Sequence, residues 1–303
     1  MFKTIVVGVD GRQGGRDALH LARAFARIGD GRIVAVCVFP YAVPLRGAPP
    51  VPDVVLQEQT EAELDRELAA EGVTAQTSVI GDASPAQGLH RVAEHEQADL
   101  IVVGSTHHGP VGRAFAGDDA VATIHGSPCP VAVAPRGAAA ADGAAFGRIG
   151  VGYDSRPESR QALTLAAQLA EDAGARLALL SVVETPLTFR THELADTDWL
   201  AHERNEAAAQ IHEALQQTDV EASGDVIVGL AAEALTDLSH RVDLLVVGSR
   251  AWGPVRRLFL GSTAADVLRG SGCPVVVLPR SAAPGQPGEQ DSTGADAASR
   301  SHA

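Results

Sequence analysis

The stretch Asp99-Leu-Ile-Val-Val-Gly-Ser105 returns as Asp243-Leu-Leu-Val-Val-Gly-Ser249, 144 residues further along the chain. One apolar run ending in glycine says little, but a return at a constant offset reorganises every other inference. Gly8-Val9-Asp10 recurs at that spacing as Gly152-Tyr153-Asp154. Ala18, Leu19, Leu21 and Ala22 recur as Ala162, Leu163, Leu165 and Ala166, and Cys129-Pro130-Val131 recurs as Cys273-Pro274-Val275. Matches at both ends of each unit mean a duplicated domain rather than a solenoid of small repeats. A chain of 303 residues has room for two such cores.

Within each unit, short β-branched runs alternate with longer stretches of helical period, the pattern of βαβ units around a parallel sheet. Strands are expected near 4–9, 33–39, 74–80, 100–104 and 131–134, and again near 149–153, 177–183, 220–228, 244–248 and 275–278. Ala162, Leu165, Ala166, Leu169 and Ala173 fall on one face of a helix. A helix over Val54–Glu71 sets Glu58, Glu61, Glu63 and Glu67 on a solvated face over Leu64 and Leu68. Ser84-Pro85 reads as a helix start with Ser84 as N-cap.

Right-handed crossovers then favour a doubly wound sheet of order 3-2-1-4-5 in each unit. The expected architecture is α/β: two tandem domains over residues 1–137 and 148–280, each a five-stranded parallel sheet with helices on both faces. A boundary falls between Gly137 and Gly147, and the segment 281–303, without a large apolar residue, is expected to be a disordered tail.

A formal net charge of -14 argues against a nucleic-acid binder and against an anionic membrane surface. The sequence has no apolar run of spanning length and Met1-Phe2-Lys3 opens no signal peptide, so a cytoplasmic location is expected. The three cysteines are an odd number and make no disulfide framework; Cys37, Cys129 and Cys273 read as core thiols.

Ligands of doubly wound sheets sit at the carboxyl ends of the strands, beside the switch point between strands 1 and 4. Asp10 and Asp154 end strand 1, and Gly104 and Gly248 end strand 4. In the second half, Gly261-Ser262-Thr263 opens a helix and offers amides, hydroxyls and the positive end of a dipole. Arg250, Arg256 and Arg257 add positive charge to this polyphosphate cradle. The competing explanation makes Ser262 a helix cap and the glycines turn formers. Neither a Walker A sequence nor GxGxxG is present.

Other constellations carry less. His107-His108 and His125 lack matched metal ligands, and His202 with Glu206 lies on one face of an exposed helix without a second histidine at zinc-protease spacing. Ser155, Ser159 and Ser262 have no evident His/Asp partners for nucleophilic catalysis. Trp252 suits loop packing or a subunit contact better than stacking on a base.

The openings VVGVD and GVGYD, the strands ADLIVVGS and VDLLVVGS, and the endings PCPVAVAP and GCPVVVLP together span nearly all of residues 1–280. On these motifs both halves resemble universal stress protein domains. The family's ATP pattern is Gly-x2-Gly-x9-Gly-[Ser/Thr] after strand 4. The resemblance implies ATP, with Mg2+, in the second half: Asp154 on the nucleoside, Val182 against adenine, and Gly248, Gly261 and Ser262 around ribose and phosphates. Gly152, Ser249, Arg250, Gly253 and Thr263 complete that set, with Ala251 departing from the pattern's second glycine. The first half offers a weaker set of Gly8, Asp10, Val38, Gly104, Gly109 and Gly117. There His107 stands at the second glycine and Asp118 in place of the Ser/Thr. Asp118 and Asp119 bring negative charge where phosphate would lie.

The resemblance further implies pairing through the last strands, Val131–Ala134 with Val275–Leu278, as an intramolecular pseudo-dimer, with a homodimer of whole chains left open. Functionally it implies an adenine-nucleotide-binding stress-response or regulatory module with unidentified protein partners and at most slow ATP hydrolysis. Two alternatives stay open: a scaffold that has lost nucleotide binding, and an adenylate-forming enzyme. For the latter, GVDGRQGG and GYDSRPES supply no convincing phosphate loop.

Overall fold

The computed structural model describes residues 1–40, 53–105, 118–137, 146–184, 197–249 and 260–278. In the first domain β1 (Thr4–Gly8), β2 (Arg32–Pro40), β3 (Gln76–Asp82), β4 (Leu100–Gly104) and β5 (Val131–Ala134) alternate with α1 (Gln13–Gly29), α2 (Asp53–Glu71), α3 (Pro85–His95) and α4 (Asp118–Ile124). The second domain repeats the order with β6 (Arg148–Gly152), α5 (Pro157–Ala173), β7 (Arg176–Val183), α6 (Thr197–Gln216), β8 (Ala222–Val228), α7 (Ala231–Ser239), β9 (Leu244–Gly248), α8 (Ser262–Gly270) and β10 (Val275–Leu278).

The strands form a single sheet of order β3-β2-β1-β4-β5-β10-β9-β6-β7-β8. Within each half the pairs are parallel; at the junction β5 and β10 run antiparallel, with Val133 opposite Val275 and Val131 opposite Val277. All four residues of each junction strand are buried. Since a buried valine or leucine contributes about 1.5–3 kcal/mol over an exposed one, separating the halves here is costly.

Helices α1 and α5 cover one face of the sheet across the junction, where Phe25, Leu19, Leu169 and Ala162 are fully buried. α3, α4, α7 and α8 cover the other over Val6, Ile101, Leu245 and Val275. Phe146, which stands 144 residues after Phe2, packs its ring 5.1 Å from Phe25, while Phe2 meets Phe25 edge-on at 5.6 Å. Asp17, fully buried on α1, accepts a hydrogen bond from the Gly137 amide at 2.9 Å, so the end of the first domain is fastened to its first helix.

Two local expectations need correction. The third strand begins at Gln76 rather than near 74, because Gly72 turns the chain at φ 61 and the Val73 amide still bonds the Leu68 carbonyl of α2. Ser84 occupies the N-cap position, but its side chain makes no capping bond; its amide instead donates to Asp82 Oδ1 at 3.3 Å. The residues of the tail after 278 and most of the 137–147 boundary lie outside the described part of the chain.

Burial holds the thiols protonated. Cys129 and Cys273, pseudo-symmetry mates, are both pushed up to about 12 chiefly by desolvation, and Cys37 to about 11 by desolvation and then by Asp10. These are core groups, not nucleophiles.

Candidate functional site

Two clefts open at the carboxyl ends of the strands, one per domain, each between the strand 1 and strand 4 ends. The second has a volume of about 400 Å³ and is lined by Gly152, Asp154, Val182, Leu235, Gly248, Gly261, Ser262 and Thr263 among others. The first has about 360 Å³ and is lined by Gly8, Asp10, Val38, Leu89, Gly104, Ser105 and Asp119 among others. Pseudo-symmetry places Asp10 on Asp154, Val38 on Val182 and Asp119 on Thr263.

The turn from strand to helix positions the aspartates. Asp154 Oδ1 accepts from the Arg156 amide at 3.2 Å, and Asp10 Oδ1 accepts from the Arg12 amide at 3.1 Å, the same Asx turn twice. The residue after each aspartate takes a left-handed backbone, Gly11 at φ 71 and Ser155 at φ 57. Glycine adopts this without strain; serine adopts it at a cost of about 1–2 kcal/mol. The second domain compensates with Ser159, whose hydroxyl accepts from the Asp154 amide at 3.2 Å and donates to the Arg156 carbonyl at 3.0 Å. A side chain at the equivalent Gly15 would instead meet Asp10 Oδ1 at 2.8 Å.

Gly248 borders the cleft, but its lack of a side chain has a different cause. A Cβ there would lie 2.7 Å from the Glu158 carbonyl oxygen, on the first turn of α5, and a Cβ at Gly104 would run into the Gly14 carbonyl. Both glycines let the first helix of the domain close onto strand 4. Ser249 is fully buried behind the cleft wall, with its amide on the Leu278 carbonyl at 3.1 Å and its hydroxyl without a hydrogen-bond partner among the described residues.

At the far wall, Gly261 takes the N-cap position of α8 at φ -71 and ψ 160, so Ser262 is the first helical residue and not the cap. The proposal that Ser262 is simply the cap therefore fails. The first turn leaves amides without intrahelical acceptors, at the positive end of the dipole, beside the Ser262 and Thr263 hydroxyls.

In the first domain Asp119 borders the cleft and is exposed, and its backbone carbonyl accepts from the Thr123 hydroxyl at 2.7 Å. Sequence reasoning gave the leading role to Asp118, which begins α4 but whose side chain lies outside the described residues. It assigned nothing to Glu158, which borders the second cleft where the first has Gly14. The signal for both was present in the 144-residue offset, as an acid opposite a hydroxyl and an acid opposite a glycine. Arg250, Ala251, Trp252, Gly253, Arg256 and Arg257, and likewise His107, His108, Gly109 and Gly117, lie outside the described residues.

Among the described residues, each cleft is bordered by two carboxylates and one arginine: Asp10, Asp119 and Arg12 in the first, Asp154, Glu158 and Arg156 in the second. The sums are equal and the placement is not. Elsewhere, His202 and Glu206 stand 4.0 Å apart on α6, both exposed, and no group of three described His, Cys, Asp or Glu side chains could hold a metal ion. No described helix is long and apolar enough to cross a membrane.

A doubly wound sheet with a switch-point cleft, built twice in one chain and joined edge to edge, defines a tandem Rossmann-like α/β protein. The chain belongs to the universal stress protein family, whose model matches residues 1–135 and again 145–279. It is similar to Universal stress protein Rv2319c of Mycobacterium tuberculosis, 28% identical over 302 residues that cover 91% of this chain and 99% of that protein. A single-domain relative, the "Universal stress protein in QAH/OAS sulfhydrylase 3'region" of Thermus aquaticus, is 30% identical over 133 residues, 43% of this chain and 97% of its own. The fold is also that of a universal stress protein from Archaeoglobus fulgidus, with TM-score 0.63, 20% identity and coverage of 92% and 98%.

Proposed function

We propose that the second domain binds an adenine nucleotide, ATP with Mg2+, and that occupancy of this cleft sets the partner choice of a stress-response module. The observation that carries this is the start of α8, where Gly261 caps and Ser262 and Thr263 border the cleft with the first-turn amides. Those groups suit phosphate oxygens. Val182 and Leu235 supply apolar walls for a flat base, and Asp154, already fixed by the Arg156 amide, accepts from ribose hydroxyls. Mg2+ enters with the nucleotide and is held mainly by phosphate oxygens and water.

Calorimetric titration of the whole chain with MgATP tests it. A carboxylate about 4 Å from a phosphate oxygen costs about 4 kcal/mol at an effective dielectric of 20, up to roughly a thousandfold in affinity. Wild type should bind at one site per chain and Ser262→Asp should not. The variant should stay folded, because Gly261 and not Ser262 holds the N-cap position and an acid at a helix start is favourable. Two equal sites, or binding that survives the substitution, would overturn the assignment.

A protein-scaffold role is favoured by a different observation. Ile227, Val228 and Leu230 form an exposed apolar corner at the end of the edge strand β8, 38%, 40% and 43% accessible. In the first domain Arg91 closes the corresponding corner, donating to the Gly81 carbonyl and pairing with Asp82 at 3.0 Å.

A further inference from the structure

The first cleft is built as completely as the second, yet its polar groups suit a different ligand. Val36, Val38, Leu89 and Val103 give it an apolar slot. Ser105 borders the slot but does not distinguish the clefts, since its hydroxyl, like that of Ser249 in the second domain, is buried with no partner among the described residues. Asp10 borders the slot at the end of β1, and the exposed Asp119 at the start of α4. Both present acceptors. Arg12 does not distinguish the clefts, since Arg156 borders the other in the equivalent place.

We propose that the first-domain cleft is a second, chemically distinct site, which takes an unphosphorylated heterocycle of nucleoside size bearing hydroxyl or amino donors and rejects polyphosphates. The nucleoside shape rests on the nucleotide assignment of the second cleft, through their pseudo-symmetry. The rejection of phosphate is local, and follows from a carboxylate at 119 where the second cleft has the Thr263 hydroxyl. A further carboxylate stands behind Asp10, where Glu67 lies beside Gly11. Hydroxyl and amino hydrogens satisfy these acceptors, whereas phosphate oxygens repel them.

Methyl-resolved NMR of the full chain separates the two sites without removing either. The probes are adenosine and MgATP. Adenosine should shift the methyls of Val38, Leu89 and Val103, with an affinity there at least about tenfold tighter than that of MgATP, a margin below the unscreened limit because the acid is exposed. Asp119→Ser, which keeps the backbone carbonyl bonded by Thr123, should narrow that gap, chiefly by letting MgATP bind more tightly. Asp119→Asn does the same without shortening the side chain, should the serine variant unfold. The proposal is overturned if MgATP moves these methyls as readily as adenosine, or if adenosine leaves them unmoved. Failure of the second-domain assignment reads out elsewhere, as Val182, Leu235 and Val247 methyls unmoved by MgATP; adenosine shifts in the first domain would then still support the distinct site.

Discussion

The two clefts share nearly every feature that packing controls and differ in the features that packing leaves alone. Each has the aspartate at the end of the first strand, a left-handed residue after it, a valine floor and a glycine where strand 4 meets the first helix. They differ at the rim: Asp119 against Thr263, Gly14 against Glu158 and Gly15 against Ser159. Between the two clefts the charge has moved from one end to the other.

The largest effect expected on this comparison comes from the shared part. Gly104→Ala drives a methyl into the Gly14 carbonyl, and Gly248→Ala places one 2.7 Å from that of Glu158. Overpacking against backbone costs about 1–3 kcal/mol and more where nothing yields. Denaturant unfolding should show both variants destabilised, Gly104→Ala the more. Unchanged stability with lost MgATP binding in Gly248→Ala would instead assign the glycine to the ligand.

The next effect concerns the fastening of the first domain. Asp17 is fully buried between the Gly137 amide at 2.9 Å and Gln13 Nε2 at 3.0 Å, whereas the residue 144 positions on is the half-buried Gln161. Hydrogen bonds to a charged group contribute about 1.5–3 kcal/mol. Asp17→Ala should lower unfolding stability by that order and Gln161→Ala by less than about 1 kcal/mol. Equal losses would show that the two helices are anchored alike.

The offset of 144 residues made the fold legible, because a repeated strand-helix pattern leaves few topologies, and it brought Asp154, Val182, Gly261 and Ser262 to one cleft. What escaped was tertiary. The reason for Gly104 and Gly248 is a carbonyl of a helix nearly a hundred residues away, and no propensity scale records it. Ser84 and Ser262 look like caps by residue type, yet Ser84 makes no capping bond and Gly261 takes the N-cap position before Ser262. Ser249 matches the motif but lies buried behind the wall, since alternation along an extended chain sends it away from the cleft. Glu158 carried no motif, and only the turn into α5 brings it to the rim.

The smallest effect tests a charge that only the first domain carries. Glu67 sits on α2 with its carboxyl 12% exposed, 3.8 Å from Arg16, and the residue 144 positions on is the buried Ile211. Desolvation raises its pKa above the ordinary 4.5, and Asp10 and Glu71 raise it further, against the lowering by Arg16 and the Gly11 amide. A carboxyl raised in the folded state favours folding while protonated. Its contribution is therefore present below the unfolded value of 4.5 and is lost as pH rises through the higher folded value. At neutral pH the ionised group is a net burden, and Glu67→Gln should remove it. Stability of the variant should exceed that of wild type by up to about 1 kcal/mol at pH near 7 and match it near pH 4, measured by urea unfolding across that range. A variant less stable than wild type at neutral pH would mean that the Arg16 contact outweighs burial.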